Sequence, residues 1–432
     1  SFRTIIYFKC IYKQLLRTIF ILARHFYAKC PKTPILRAFR TCLKMCGLFP
    51  PEITDTGHAK NPGCNSRRPG GYRQQPGTND YKNIIIDTCI FVTYNENRGN
   101  RINGESTGQL CAETKNKKQE VLFMLHEVSF PSYNKRDEVQ GWIYVPAARP
   151  KGIVQIIHGF GEHSRRYLHM ISKFMDAGFI VAADDHVGHG KTAMVSGVWG
   201  DWGDAGFHTM MEDEHTLKEL VCEKYPNLPY FLFGHSMGSF IARDYAAKYG
   251  DELAGVTICG TTGSFRGAAE TALLLKKAMD DGLGTDSNPE FTGALMGWMC
   301  ERCDDVTIGN EWICSDPYVQ RDHAEDPFDA FTRPTSNRSM YDFTQMMLSI
   351  EGTQWAEKVP TSLAFYNIGG DQDPVGEYGK GIYEVSNWLC ETGHEVTTRV
   401  YSGYRHEIHN YSDIKDEVED GILQFMLAAV PS

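Results

Sequence analysis

No stretch of the 432-residue sequence offers the roughly 20 mostly apolar residues that a membrane-crossing helix needs. The best candidate, 11–27, is interrupted by Lys13, Arg17 and Arg24. With charges inside it and no small-residue cleavage site after it, it does not read as a secretory signal either. Stable membrane insertion is therefore not expected. No G-x-G-x-x-G follows the first strand candidate, and Lys151 and Gly152 form no phosphate cradle, so nucleotide cofactors have no support. Metal patterns are equally thin. Cys300 and Cys303 form a C-x-x-C without a second pair, His406-Glu407-Ile408-His409 is not H-E-x-x-H, and His186 and His189 read as parts of a structured loop. No cofactor or metal is expected.

Acidic residues are missing from the first 50 positions, which carry ten Lys and Arg. Residues 1–120 as a whole have a charge balance of +12, and residues 121–432 one of −22. An acidic body of this kind argues against a nucleic-acid partner. The 13 cysteines are odd in number and irregularly spaced, seven of them before residue 120. In a long chain that pattern implies free thiols in a reducing compartment, so a cytoplasmic location is expected. Disorder throughout is excluded, since 42% hydrophobic and 12% aromatic residues suffice for a large core.

Residues 1–123 show no consistent periodicity, and 57–80 are rich in Gly, Pro, Asn and Arg, a composition that seldom folds alone. A basic nucleic-acid-binding or targeting arm is one reading. The other is that translation naturally starts at Met124. The sequence begins at Ser1, only Met45 and Met124 precede the regular pattern, and Lys118 to Val121 can be encoded by a ribosome-binding stretch, AGGAGGT.

From Met124 onward strand and helix patterns alternate. Strands are expected at 127–130, 139–145, 152–158, 179–184, 230–234, 255–259, 362–368 and 395–401. Runs such as Ile153-Val154-Gln155-Ile156-Ile157 suit parallel strands buried on both faces. Helices are expected at 167–177, 207–225, 240–248, 379–391 and 413–429, the last capped by Ser412 or Asp413. This alternation predicts a mostly parallel, doubly wound α/β sheet. The roughly 100 residues between Cys259 and Ser362 exceed any single crossover and carry helical pieces at 268–279, 291–299 and 340–350. They predict a helical cap over the carboxyl ends of the strands. The expected division is a core of 124–261 and 346–432 with a cap of 262–345.

Gly234-His235-Ser236-Met237-Gly238 stands directly between a strand candidate and a helix candidate. A sharp strand-to-helix turn at Ser236 would bring its flanks into collision unless both Gly234 and Gly238 lack side chains, the geometry of a nucleophile elbow. A serine nucleophile needs a base and an orienting acid, which in this fold follow in later loops. His406, directly after the final strand, is the expected base; His409 lies one helical turn on and is expected to pack or face solvent. Asp371 and Asp373 both follow the preceding strand, and spacing alone leaves the acid open. The tetrahedral oxyanion needs two amide donors. Met237 N–H follows the nucleophile, and the loop His158-Gly159-Phe160-Gly161-Glu162-His163 offers Phe160 N–H.

Taken with Tyr167, Asp185-His186-Val187-Gly188-His189-Gly190 and Gly370-Asp371-Gln372-Asp373-Pro374, these motifs resemble the monoacylglycerol lipase and lysophospholipase branch of the α/β-hydrolase superfamily, its bacterial members in particular. The likeness covers about residues 125–430. It implies Ser236 as nucleophile, Asp373 as acid, His406 as base, and Phe160 and Met237 as oxyanion donors. It also implies a small lipid or ester substrate, monoacylglycerol or lysophospholipid, cleaved without a cofactor. Short-chain or aromatic esters are the alternative, and an aminopeptidase would need cap acids such as Glu311, Asp316 or Asp322. The bulky Phe160 stands where a small or apolar residue is usual and narrows the expected acyl pocket. Leu273 to Leu275, Leu295-Met296 and Trp298-Met299 either line an acyl channel or pack the cap on the sheet. The oligomeric state is not legible. Deleting residues 1–123 is expected to leave hydrolysis of p-nitrophenyl esters unchanged in kcat and KM.

Overall fold

The computed structural model describes residues 124–430 except 305, 330 and 332; the expectations for residues 1–123 lie outside these. Eight strands form one sheet: β1 (Leu125–Pro131), β2 (Glu138–Tyr144), β3 (Gly152–Ile157), β4 (Phe179–Asp185), β5 (Tyr230–His235), β6 (Gly255–Cys259), β7 (Phe365–Gly370) and β8 (Val396–Tyr401). Their order is β1-β2-β4-β3-β5-β6-β7-β8, antiparallel at the β1/β2 and β2/β4 pairings and parallel from β4 to β8. Every residue of β3 to β7 is buried, so both faces of the central sheet are covered. This is why those strands read as unbroken apolar runs.

The core helices are α1 (Leu168–Asp176), α2 (Gly190–Ser196), α3 (Thr209–Lys224) and α4 (Met237–Tyr249). Between β6 and β7 come α5 (Ala268–Asp280), α6 (Pro289–Met296), α7 (Pro317–Glu325), α8 (Asn337–Ser349) and the short α9 (Gly352–Ala356). The chain closes with α10 (Lys380–Glu391) and α11 (Lys415–Ala429). α1 packs on α11 and α3 on α4, giving the sheet two separate helical coats. α5 packs along α8, which also touches α4.

Three expectations are corrected in detail. β7 starts at Phe365, because Leu363 N–H closes a turn onto the Pro360 carbonyl, and it runs on through Gly369 and Gly370, which pair with Val400 and Tyr401. Gly370 is needed for this approach, since a Cβ there would overlap the Tyr404 carbonyl oxygen. α11 starts at Lys415 behind Ile414 with no side-chain cap, and the nearby Asp413 instead accepts from Tyr404 Oη at 2.9 Å. α2, α7 and the short α9 were not expected. α7 is a polar helix whose start is set by Asp316, which accepts from Tyr318 N–H at 2.8 Å ahead of Pro317 at N1.

The tightest packing lies at the β5–α4 junction. A Cβ on Gly234 would overlap the Gly238 carbonyl, and one on Gly238 would overlap the Ile157 carbonyl of β3. Gly238→Ala is therefore expected to destabilise the fold by about 3 kcal/mol in urea unfolding. Gly293→Ala, within α6 and with no neighbour near its would-be Cβ, should be neutral or stabilising by up to about 1 kcal/mol.

Candidate active site

The loops after β3, β5, β7 and β8 meet at the carboxyl edge of the parallel sheet. Ser236 sits in the turn between β5 and α4 at φ 54° and ψ −122°, a left-handed conformation rare for a residue with a side chain. The two close-packed glycines hold it there. Ser236 N–H donates to the Cys259 carbonyl at 2.9 Å, tying the turn to β6.

His406 follows β8 and is 2% exposed. Its Nδ1 lies 2.9 Å from Asp373 Oδ2, while Asp373 Oδ1 accepts from Val375 N–H at 2.9 Å. Nδ1 is thereby the protonated nitrogen, and Nε2 has no hydrogen-bond partner among the described residues. Asp371 is turned elsewhere: it accepts from Ser402 Oγ and Gly403 N–H, each at 2.7 Å, and fastens the turn after β8. Burial of the His406 ring works against its protonation, but the adjacent Asp373 carboxylate, with Glu407 and Glu162 nearby, outweighs this and raises its pKa. His409 is fully buried, stacked on Tyr167 at 5.1 Å between ring centres.

The loop after β3 runs along Ser236, so that a Cβ on Gly159 would stand 3.0 Å from the Ser236 Cβ. Glu162 closes this loop on itself by accepting from Gly159 N–H at 2.6 Å, and it also accepts from Tyr167 Oη at 2.7 Å. Phe160 stacks on Phe343 of α8 at 5.3 Å, and Met237 is buried at the first turn of α4.

Ser236 opens into a narrow cavity of about 20 Å³ walled by Phe160, Phe240, Phe265, Met299, Phe331 and Phe343. Trp312 lies over His406 at 5.0 Å between ring centres. Met296 also faces the cavity, but Leu275 and Leu295 are packed inside and Leu273 and Leu274 are exposed, so that leucine run lines no channel. Of the candidate amine-holding acids, Glu311 is engaged by the amides of Thr307, Ile308 and Gly309, Asp316 caps α7, and Asp322 lies at the surface near Arg166. None of the three lines the cavity. Glu162 stood within the quoted loop motif but its clamping role was missed. Trp312, Phe331 and Phe343 carried no signal, being brought in by the inserted segment's tertiary path.

The sheet order, the strained serine turn and the paired Asp and His after later strands define an α/β hydrolase. The chain belongs to the family described as serine aminopeptidase, S33, whose model matches residues 148–413. It is similar to a highly thermostable carboxyl esterase from Bacillus coagulans, solved with glycerol. The two are 58% identical, with a TM-score of 0.71, over 72% of this chain and all of that one. It is 34% identical over 118 residues to the monoacylglycerol lipase of Mycolicibacterium smegmatis, and 37% identical over 113 residues to the monoglyceride lipase of Homo sapiens. Those alignments span 27% and 26% of this chain but only 40% and 36% of the relatives' own lengths.

A raised His406 pKa means that the folded state holds this proton more tightly than the unfolded chain. The stabilisation is complete below the unfolded value and is lost as pH rises through the folded one. In an NMR titration of the His406 ring, the midpoint should lie above the ordinary histidine value of about 6.5. It should fall in Asp373→Asn and stay in place in Asp371→Asn.

Proposed function

We propose that this chain is a serine hydrolase that cleaves carboxylic esters of monoacylated lipids through an acyl-enzyme. The observation that carries the reading is a strained serine opening into an apolar-walled cavity, together with a buried histidine, in the loop after β8, already oriented by a buried carboxylate. Ser236 Oγ attacks the ester carbonyl while His406 Nε2 takes its proton. The amides of Phe160 and Met237 receive the oxyanion. His406 then protonates the leaving alcohol and activates water against the acyl-enzyme, and Asp373 holds the tautomer throughout.

The likeness to a carboxyl esterase and to monoacylglycerol lipases supports an ester substrate. The aromatic and thioether walls suit an acyl chain and offer no carboxylate to a substrate amine. Residues 262–345 act as a cap over the core of 124–261 and 346–432, and their Phe265, Met296, Met299, Trp312, Phe331 and Phe343 supply most of the wall around Ser236. Six free cysteines among the described residues favour a reducing, cytoplasmic setting. Among the described residues no helix is long and apolar enough to cross a membrane.

A fluorophosphonate probe should label the protein, and Ser236→Ala should abolish labelling and lower kcat by at least about 10⁴-fold. Monoacylglycerol should be hydrolysed with a higher kcat/KM than p-nitrophenyl acetate. The reverse ranking would leave a small-ester carboxylesterase, and faster turnover of aminoacyl p-nitroanilides would overturn the ester reading.

A further inference from the structure

Next to Ser236 the fold gathers two imidazoles and a thiol that take no chemical step in the proposed reaction. His235 ends β5, Cys259 ends β6 and pairs with it in register, and His409 lies in the short 3-10 turn Ile408–Asn410. One ligand atom from each lies within 4.8 Å of the other two. His235 is 2% exposed and the other two are fully buried. The interior should have satisfied these groups. Yet His235 Nε2 and both ring nitrogens of His409 have no hydrogen-bond partner among the described residues.

The carboxylate behind His235 decides which of its nitrogens is left free. His235 Nδ1 donates to Glu162 Oε1 at 3.0 Å, which leaves the unpartnered Nε2 as the nitrogen with a free lone pair. A carboxylate behind an imidazole is the arrangement that orients a histidine towards a metal. His409 is held in place by the flat stack on Tyr167 and sits edge-on to His235 at 4.6 Å. Two neutral imidazoles and a thiol form a soft donor set, suited to Zn²⁺ or Cu⁺ and unsuited to Mg²⁺ or Ca²⁺. Bonds of roughly 2.0–2.3 Å to a shared ion put the ligand atoms roughly 3.3–4 Å apart, inside the observed spread.

We propose that His235, Cys259 and His409 form a buried site for one thiophilic d¹⁰ cation, Zn²⁺ or Cu⁺. On binding, the Cys259 thiol gives its proton to solvent and the sulfur–metal bond forms, with no change of oxidation state. The site itself stands apart from the hydrolase reading. Its consequence rests on that reading: the His235 ring is 4.6 Å from that of His406, so a cation there opposes the imidazolium that His406 must become, and the loaded protein is the less active form.

The full chain, kept reduced and treated with Zn²⁺ or with Cu⁺ in separate arms, would be desalted and its metal counted by mass spectrometry. Wild type should retain about one equivalent of one ion, and Cys259→Ser and His409→Asn less than about a tenth each while remaining folded by circular dichroism. Cys300→Ser should retain the full equivalent. Substitution with Co²⁺ should give a thiolate charge-transfer band that Cys259→Ser removes. No retention by wild type in either arm, or equal retention by the folded Cys259→Ser variant, would overturn the site. Fluorophosphonate labelling of the metal-free protein reports on the hydrolase reading separately.

Discussion

The carboxylate of Glu162 holds the site together. Its Oε1 accepts from Gly159 N–H, Tyr167 Oη and His235 Nδ1, which belong to the loop after β3, the turn before α1 and the end of β5. Burial works to protonate this group, but the His235 hydrogen bond and the charge of Arg166 hold its pKa well below the usual carboxylate range. Arg166 in turn lies 3.3 Å from Glu162, 2.7 Å from Glu407 beside His406, and 3.7 Å from Asp329 of the inserted segment. One buried ion network therefore spans the loop after β3, the loop after β8 and the segment between β6 and β7. A buried pair of this kind contributes little net stability but is costly to break, because either partner alone is an uncompensated charge. Its value here is positional.

How much of this was legible follows from how local each rule is. The turn at Ser236 is governed by sterics within five residues, so the glycines at 234 and 238 announced it. The parallel strands announced themselves because burial on both faces demands continuous apolar runs. The choice between Asp371 and Asp373 was different in kind. Both follow the same strand two residues apart, and only the path of the loop, closed by Asp371 itself onto Ser402 and Gly403, turns Asp373 towards His406. Spacing could not contain that; the family likeness did.

The interval between β6 and β7 was the least legible part. Its helices were found where apolar periodicity was strong, as in α5 and α8, and missed where it was not, as in α7, whose sequence is largely polar. Which of its side chains reach Ser236 depends on long-range packing. Leu273 and Leu274 are exposed, whereas Phe331, from a stretch without regular structure, packs onto the loop after β3.

That last contact couples access to chemistry. Gly161 has φ 76°, and a Cβ on it would stand 2.7 Å from the Phe331 Cα, so the inserted segment rests on the loop that presents Phe160. Phe160 itself is wedged between Phe331 and Phe343, both from that segment. Displacing these rings would alter the packing of the loop that carries Phe160. Close-packed rings exchange between discrete arrangements rather than deforming smoothly. In the proposed reaction Phe160 would therefore have two parts, its ring packed against the segment between β6 and β7 and its amide offered to the oxyanion, so that a bulky side chain there would tie acyl-chain fit to catalytic rate.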